Sequence, residues 1–242
     1  MELLTLLAIA FAPGVALSLY LYWKDEHEKE PIRLLLTSFF YGFISIIITL
    51  IISFLIQGLY TVRDDSIADQ FVHAFFKVAL VEEFSKFIFI RFILFRNKNF
   101  NEPFDGIIYT GMVGMGFATL ENIFYVLDLG IETGIMRMFT AVPAHATFAI
   151  LMGYFIGKGK FDQKNLGWFS FLALLSASLF HGAYDFFLFI SFVPGMAFGA
   201  ILSLIAGIVL SRKAIQLHQD VSPFAAERIL LKRKDHPKKQ DE

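Results

Sequence analysis

Long apolar runs separated by short polar segments dominate the chain. About 20 apolar residues of helix are enough to cross the hydrocarbon core of a bilayer. Seven runs approach or exceed that length, at residues 3–22, 34–56, 71–94, 105–127, 138–157, 166–190 and 194–211. The last run is short and follows Pro194 and Gly195, which is also compatible with a tight hairpin after the sixth run. The pattern predicts an all-α, polytopic membrane helix bundle with about seven transmembrane helices.

Composition supports a membrane protein rather than a soluble domain. Hydrophobic residues make up 56% of the 242 residues and charged residues only 18%, whereas soluble domains average about 45–50% apolar and about 25% charged residues. There is no cysteine. Disulfides, thiolate nucleophiles and cysteine-ligated metals are therefore excluded, and nothing in the sequence indicates a nucleic-acid partner.

The positive charges are distributed unevenly between the loops. Most of the 21 lysines and arginines lie at the first, third and fifth loops or in the C-terminal tail; the four exceptions are Arg63, Lys77, Lys86 and Arg137. Basic loops stay on the cytoplasmic side of a membrane. We therefore expect an outside N-terminus, a cytoplasmic C-terminus, a single membrane domain over residues 1–211 and a polar cytoplasmic tail over 212–242. A short helix is compatible with the tail sequence around residues 223–234.

Charged and imidazole groups interrupt four of the apolar runs. The third run carries Glu82, Glu83 and Lys86, and the later runs carry Glu121, His145, and the pair His181 and Asp185. A charged group in hydrocarbon costs at least a few kcal/mol, so such residues usually have partners and a function. With about 1.5 Å of rise per residue, all of them fall in one layer between the midplane and the outer half of the bilayer.

Spacing within the runs also brings these groups together. Glu82 and Lys86 are four residues apart, as are His181 and Asp185, so each pair shares one helical face. Lys86 can neutralise a glutamate, and Asp185 can fix the tautomer of His181. Small residues such as Gly116 flank the sites and permit close packing of membrane helices.

Glutamates and histidines in one membrane layer suit the activation of water. A carboxylate in an apolar site can act as a general base, and a histidine can donate to a developing oxyanion. The same groups can hold zinc, with Glu82, Glu121, His145 and His181 as the candidate ligands. Catalysis with a metal and catalysis by glutamate and histidine alone both remain open. Buried Glu, His and Asp also mark proton- or cation-coupled transporters, but no internal repeat typical of such transporters is found.

Four short motifs carry a family resemblance. The strings VEEFSK, GFATLEN, PAHATF and LFHGAYDF resemble, in order, the four motifs of the PrsW family of membrane proteases, which belongs to the wider group of CAAX prenyl proteases and abortive-infection proteins. The strings APGVALSLYLYWKDEHEKEP and FDGIIYTG are also similar to that family.

The resemblance implies a set of site residues and a substrate. The implied catalytic residues are Glu82, Glu83, Glu121, His145, His181 and Asp185, with Lys86 and Phe117 in support. The implied reaction is the first, extracytoplasmic cut in a single-pass anti-sigma factor, made by a multi-pass protein of the bacterial cytoplasmic membrane. Two positions follow PrsW rather than the wider group: Glu121 replaces a histidine, and Lys86 replaces an arginine one residue later.

Overall fold

The structure, a computed structural model, describes residues 2–225, and all regular secondary structure in that range is helical. A π-helical turn, His73–Ala79, lies between the helices Ile67–Val72 and Leu80–Phe92. The helices in chain order are α1 Glu2–Lys24, α2 Ile32–Ile56, α3 Ile67–Val72, α4 Leu80–Phe92, α5 Pro103–Leu129, α6 Ile131–Phe139, α7 Ala141–Phe161, α8 Leu166–Phe189 and α9 Ala197–Asp220.

Six helical segments in residues 2–225 are long and apolar enough to cross a membrane. Five of them contain one long helix each, α1, α2, α5, α8 or α9, and the sixth is formed by α6 and α7 together. This confirms the predicted polytopic helical bundle. The third predicted span is also helical from Ile67 to Phe92, but its charged side chains make it less apolar than the other six. Its passage through the membrane stays a prediction.

The ends of two predicted spans differ from the observed helices. The fifth predicted span corresponds mainly to α7. A separate short helix, α6, precedes α7, and the chain turns between them at Thr140. The last helix begins at Ala197 and continues past residue 211 to Asp220. Gly195, with a φ of 84°, supplies the tight turn before it, because glycine has no Cβ to clash in the left-handed region. The predicted tail helix lies almost wholly outside the described residues.

The central helix is α5, which packs against α1, α2 and α7. Glycines allow these backbones to approach each other: Gly106 faces Gly153 and Gly157 of α7, and Gly116 faces the Phe39 carbonyl of α2. A Cβ at either position would overlap with the opposite backbone. Small residues at helix contacts are the common packing solution in membranes, where burial of apolar surface gives little net drive for helix association.

Side-chain contacts bring the odd-numbered loops to one end of the bundle. Gln219, near the end of α9, donates to the carbonyl of Lys24 at 2.5 Å, and His27 lies 3.1 Å from the Gln219 carbonyl. Lys160 donates to the Phe95 carbonyl at 2.6 Å. The ends of α1 and α9 therefore lie together, and the start of α1 lies at the opposite end of the bundle from the end of α9.

The charge distribution and this arrangement predict which end faces the cytoplasm. Because the chain has no cysteine, Asp64→Cys and Asn165→Cys each introduce a single thiol at an exposed loop position. We expect a membrane-impermeant maleimide to label the first variant in intact cells and the second only after permeabilisation. Labelling in the reverse order would contradict the proposed orientation.

Candidate active site

Three charged side chains of α4 point into the protein instead of toward lipid. Glu82 is 9% exposed, Glu83 1% and Lys86 2%. The π-helical turn His73–Ala79 leads directly into α4, which begins at Leu80. Since a π turn holds more residues than an α turn, it sets the rotation of α4 relative to α3, and such turns often occur at functional sites.

Lys86 is the positive centre of this group. Its Nζ lies 2.7 Å from Glu83 Oε1 and 3.6 Å from Glu82 Oε2. It also lies 3.8 Å from the centroid of the Phe117 ring, whose negative face attracts a cation. The predicted neutralisation of a glutamate by Lys86 is thus present, and Glu83 is the closer partner.

His181 of α8 is held between two carboxylates. Its Nδ1 lies 2.9 Å from Glu83 Oε1, and its Nε2 lies 3.2 Å from Asp185 Oδ2. The ring stacks on Phe148 with centroids 4.8 Å apart. The predicted His181–Asp185 pair is formed, and Glu83 adds a second contact that fixes the orientation of the imidazole.

His145 of α7 bridges Lys86 and Glu121. Its Nε2 lies 2.9 Å from Glu121 Oε2, and its Nδ1 lies 3.5 Å from Lys86 Nζ. An ammonium group can only donate, so Nδ1 accepts and the Nε2–H donates to Glu121; this tautomer is assigned from the network. The His145 and His181 rings have centroids 5.1 Å apart.

Arg137 of α6 is a site residue that the sequence analysis placed only among the outer-loop charges. It donates from Nη2 to Glu121 Oε2 at 2.7 Å and from Nε to Asn122 Oδ1 at 3.0 Å. Its guanidinium lies 3.8 Å from the centroid of the Tyr125 ring. The available signal was an isolated arginine immediately before the run that carries His145.

These groups surround a cavity of about 700 Å³. Its polar wall contains Glu82, Glu121, Arg137, His145, His181 and Asp185, and α8 and α9 contribute apolar side chains such as Leu188, Ile201 and Leu204. Glu83 and Lys86 do not line the cavity. Of the two adjacent glutamates, Glu82 therefore faces the space where a ligand can bind, and Glu83 lies behind it.

Three of the four candidate metal ligands form a compact group. Glu82, His145 and His181 each offer one ligand atom, and these atoms lie within 4.8 Å of one another. Glu82 Oε2 is buried and has no hydrogen-bond partner, as expected of an oxygen available to a ligand. Glu121 lies outside the group, and its Oε2 accepts from His145 and Arg137.

Comparison with known proteins assigns a family to this arrangement. Residues 30–211 match the PrsW family intramembrane metalloprotease. The chain belongs to the PrsW family. It is therefore a multi-pass bacterial membrane protein and a hydrolase that acts on peptide bonds. The matched residues contain all the site residues predicted from the sequence.

Relatives in several bacteria support the assignment over most of the chain. Protease PrsW of Geobacillus kaustophilus is 38% identical over 184 residues, which cover 76% of this chain and 80% of the relative. Protease PrsW of Bacillus subtilis is 33% identical over 185 residues, covering 76% and 82%. Protease PrsW of Oceanobacillus iheyensis is 38% identical over 190 residues, covering 77% and 84%. No solved structure matches the chain.

The Glu83–Lys86 pair makes a testable prediction about stability. Lys86→Met leaves a buried carboxylate without its closest cation, which typically destabilises a protein by about 3–5 kcal/mol. Lys86→Met combined with Glu83→Gln should recover most of that loss, because neither charge is then buried alone. The measurement is the free energy of unfolding of the purified protein in detergent micelles. If the double variant changed the free energy of unfolding by the sum of the changes for Lys86→Met and Glu83→Gln measured separately, the pair would not be coupled.

Proposed function

We propose that this member of the PrsW family cuts a single-pass anti-sigma factor near its extracytoplasmic side, with Glu82 as the general base. The observation that carries the proposal is the division of the two glutamates. Glu82 lines the cavity and has a buried oxygen without a hydrogen bond, whereas Glu83 is occupied by Lys86 and His181. A base needs a free oxygen within reach of water, and Glu82 meets this requirement.

The reaction follows from these positions. Glu82 takes a proton from a water molecule as the water oxygen bonds to the carbonyl carbon of the peptide. The carbonyl oxygen becomes negative, and the guanidinium of Arg137, which lines the cavity, stabilises it. Glu82 then returns the proton to the leaving nitrogen as the carbon–nitrogen bond breaks, which yields an acid and an amine.

The remaining groups position the reacting ones. Glu83 and Asp185 hold the His181 ring from its two nitrogens. Lys86 contacts Glu83, Glu82 and His145 at 2.7, 3.6 and 3.5 Å, so its charge fixes the spacing between α4 and α7. Such fixed geometry lowers the barrier because the groups need little rearrangement during the reaction.

The charges of the site favour a bound divalent metal. Two cationic side chains, Lys86 and Arg137, face four carboxylates: Glu82, Glu83, Glu121 and Asp185. With neutral histidines, two negative charges are left. A dication held by one oxygen of Glu82 and one nitrogen each of His145 and His181 would balance them, and each imidazole would give up one of its present contacts to bind it. The donors, one carboxylate and two imidazoles, fit zinc. Bound zinc would supply a Lewis acid that polarises the carbonyl and acidifies water.

The cavity and the family suit a peptide substrate. Glu121 lies about 27 Å along α5 from the helix start at Pro103, which places the site in the outer half of the membrane if the basic loops are cytoplasmic. The apolar wall from α8 and α9 matches a substrate that is itself a membrane helix. Membership of a protease family favours this function over the transporter hypothesis.

Substitution of the glutamates provides the direct test. With a membrane-anchored anti-sigma factor of the same bacterium co-reconstituted in liposomes, Glu82→Gln should lower the cleavage rate at least about 100-fold, since it removes the base and keeps the shape. Glu132→Gln is the matched control, because Glu132 is exposed on α6, and should cleave like the wild type. Cleavage by Glu82→Gln at the wild-type rate would rule out its role as the base.

Metal removal gives a second test. We expect the purified protein to contain about one zinc ion per chain by elemental analysis. His145→Ala and His181→Ala should lose this metal while the helix content measured by circular dichroism is kept. A chelator should abolish cleavage, and added zinc should restore it. Full activity of a chelator-treated, metal-free protein would instead support catalysis by glutamate and histidine alone.

A further inference from the structure

A groove between α1 and α2 lies apart from the candidate active site, and the proposed mechanism does not use it. Both helices pack on α5, and the space left between them is a cavity of about 290 Å³. Met112 of α5, which is buried, also lines it. Three helices therefore bound the groove.

The groove is lined by one face of each outer helix. On α1 the lining residues are Val15, Ser18, Leu19 and Tyr22, and those of α2 follow the same spacing within residues 32–39. Residues at this spacing share one side of a helix. The Ser18 hydroxyl adds no free polar group, because it donates to a carbonyl of its own helix at 2.8 Å. The groove is therefore apolar.

The size of the groove favours a thin occupant. Each lining face covers about 10 Å along its helix. A helix is about 10–12 Å across and would occupy roughly 800 Å³ over that length, whereas the groove measures about 290 Å³. A lipid acyl chain is thinner than a helix and wholly apolar. The groove therefore suits an acyl chain better than a transmembrane helix.

Two basic residues adjoin the end of the groove near the α1–α2 loop, where Tyr22 and Ile32 line it. Lys29 Nζ lies 4.6 Å from the centroid of the Tyr22 ring and donates to the Tyr22 carbonyl. An ammonium group has three donors, so it can also bind a phosphate oxygen. Arg33 directly follows Ile32 and is exposed, and its guanidinium has no hydrogen bond or ion pair within residues 2–225.

Two acids of the same loop are directed into the protein. Asp25 and Glu30 are buried. Asp25 Oδ2 accepts from the Glu30 amide at 3.2 Å, and Glu30 Oε2 accepts from the Tyr109 hydroxyl. Burial raises the pKa of Asp25 to about 7 and also raises the pKa of Glu30. Partial protonation therefore reduces their negative charge near neutral pH.

The remaining charges of this segment have a positive balance. Three cations, Lys24 together with the two beside the groove, outnumber the acids Glu26 and Glu28. Glu28 is directed toward the start of α5, because it accepts from the Asn101 side chain at 2.8 Å. The apolar groove thus ends at a region that attracts anions.

We propose that the groove binds an acyl chain of an anionic phospholipid, with the lipid phosphate on Lys29 and Arg33. Basic residues beside a membrane helix attract anionic lipids, and in the predicted orientation this end of α1 and α2 lies at the cytoplasmic surface. The bound lipid would fill the space between α1 and α2 and join the two helices.

Tryptophan fluorescence in liposomes tests the proposal. The chain has two tryptophans, and Trp168→Phe leaves only Trp23, which directly follows Tyr22. This full-length variant is compared in liposomes that contain either brominated phosphatidylglycerol or brominated phosphatidylcholine at the same level. Bromine quenches the fluorescence of a nearby indole. We expect phosphatidylglycerol to bind near Trp23 at least about 10-fold more tightly than phosphatidylcholine. Equal binding would overturn the proposal.

Charge variants in the Trp168→Phe background locate the lipid headgroup. Arg33→Gln and Lys29→Gln should each lower the preference for phosphatidylglycerol about 5-fold. Lys164→Gln is the matched control, because Lys164 is an exposed lysine of another predicted cytoplasmic loop, and it should keep the preference. An unchanged preference in both groove variants, or an equal loss in the control, would contradict the assigned phosphate contacts.

A bulky variant locates the acyl chain. Ser18→Phe in the same background places a ring in the groove and should abolish the preferential quenching. Ala8→Phe adds a ring at an exposed position of the same helix and should leave it intact. Circular dichroism checks that both variants are folded. Preferential quenching that persists in folded Ser18→Phe would show that the chain lies elsewhere. These measurements do not depend on cleavage, so they stand apart from the test of the proposed function.

Discussion

The structure depends on the way one buried lysine is placed among acids in a region of low dielectric. Lys86 contacts Glu83, Glu82, His145 and the Phe117 ring, and these contacts join α4, α5 and α7 around a common point. Because a charge buried without a partner costs several kcal/mol, this position can be occupied only if the three helices keep their registers. The buried charge therefore favours one arrangement of the three helices over others.

Much of the fold and the site could be predicted because depth in a membrane follows from counting residues. The lengths of the apolar runs predicted the polytopic bundle, and the common layer of Glu121, His145 and His181 predicted their proximity. Counting does not give the rotation of a helix about its axis. For this reason the sequence did not show that Glu82 faces the cavity and that Glu83 lies behind it. The two residues are neighbours in the chain but point about 100° apart.

Arg137 was missed for a different physical reason. Arg137 lies between the predicted spans 105–127 and 138–157, so a charge there had an ordinary explanation as a solvated loop residue. Only the turn at Gly130, which has a φ of 84°, folds α6 back against α5, where the guanidinium reaches Glu121. Asp25, Glu30 and Glu102 were overlooked similarly, since acids in a loop are usually exposed, and only the structure shows that these three are buried.

The π-helical turn His73–Ala79 has a consequence for how sequences of this kind can change length. A π turn contains about one residue more than an α turn. Loss of one residue there can return the segment to an ordinary α-helix. The resulting change in position is then taken up by α3 and the outer loop, and α4 keeps its contacts. The same loss within α4, between Glu83 and Lys86, would rotate the glutamates and the lysine by about 100° relative to one another. Insertions and deletions among homologues should therefore gather in the turn, and alignments should allow a gap there.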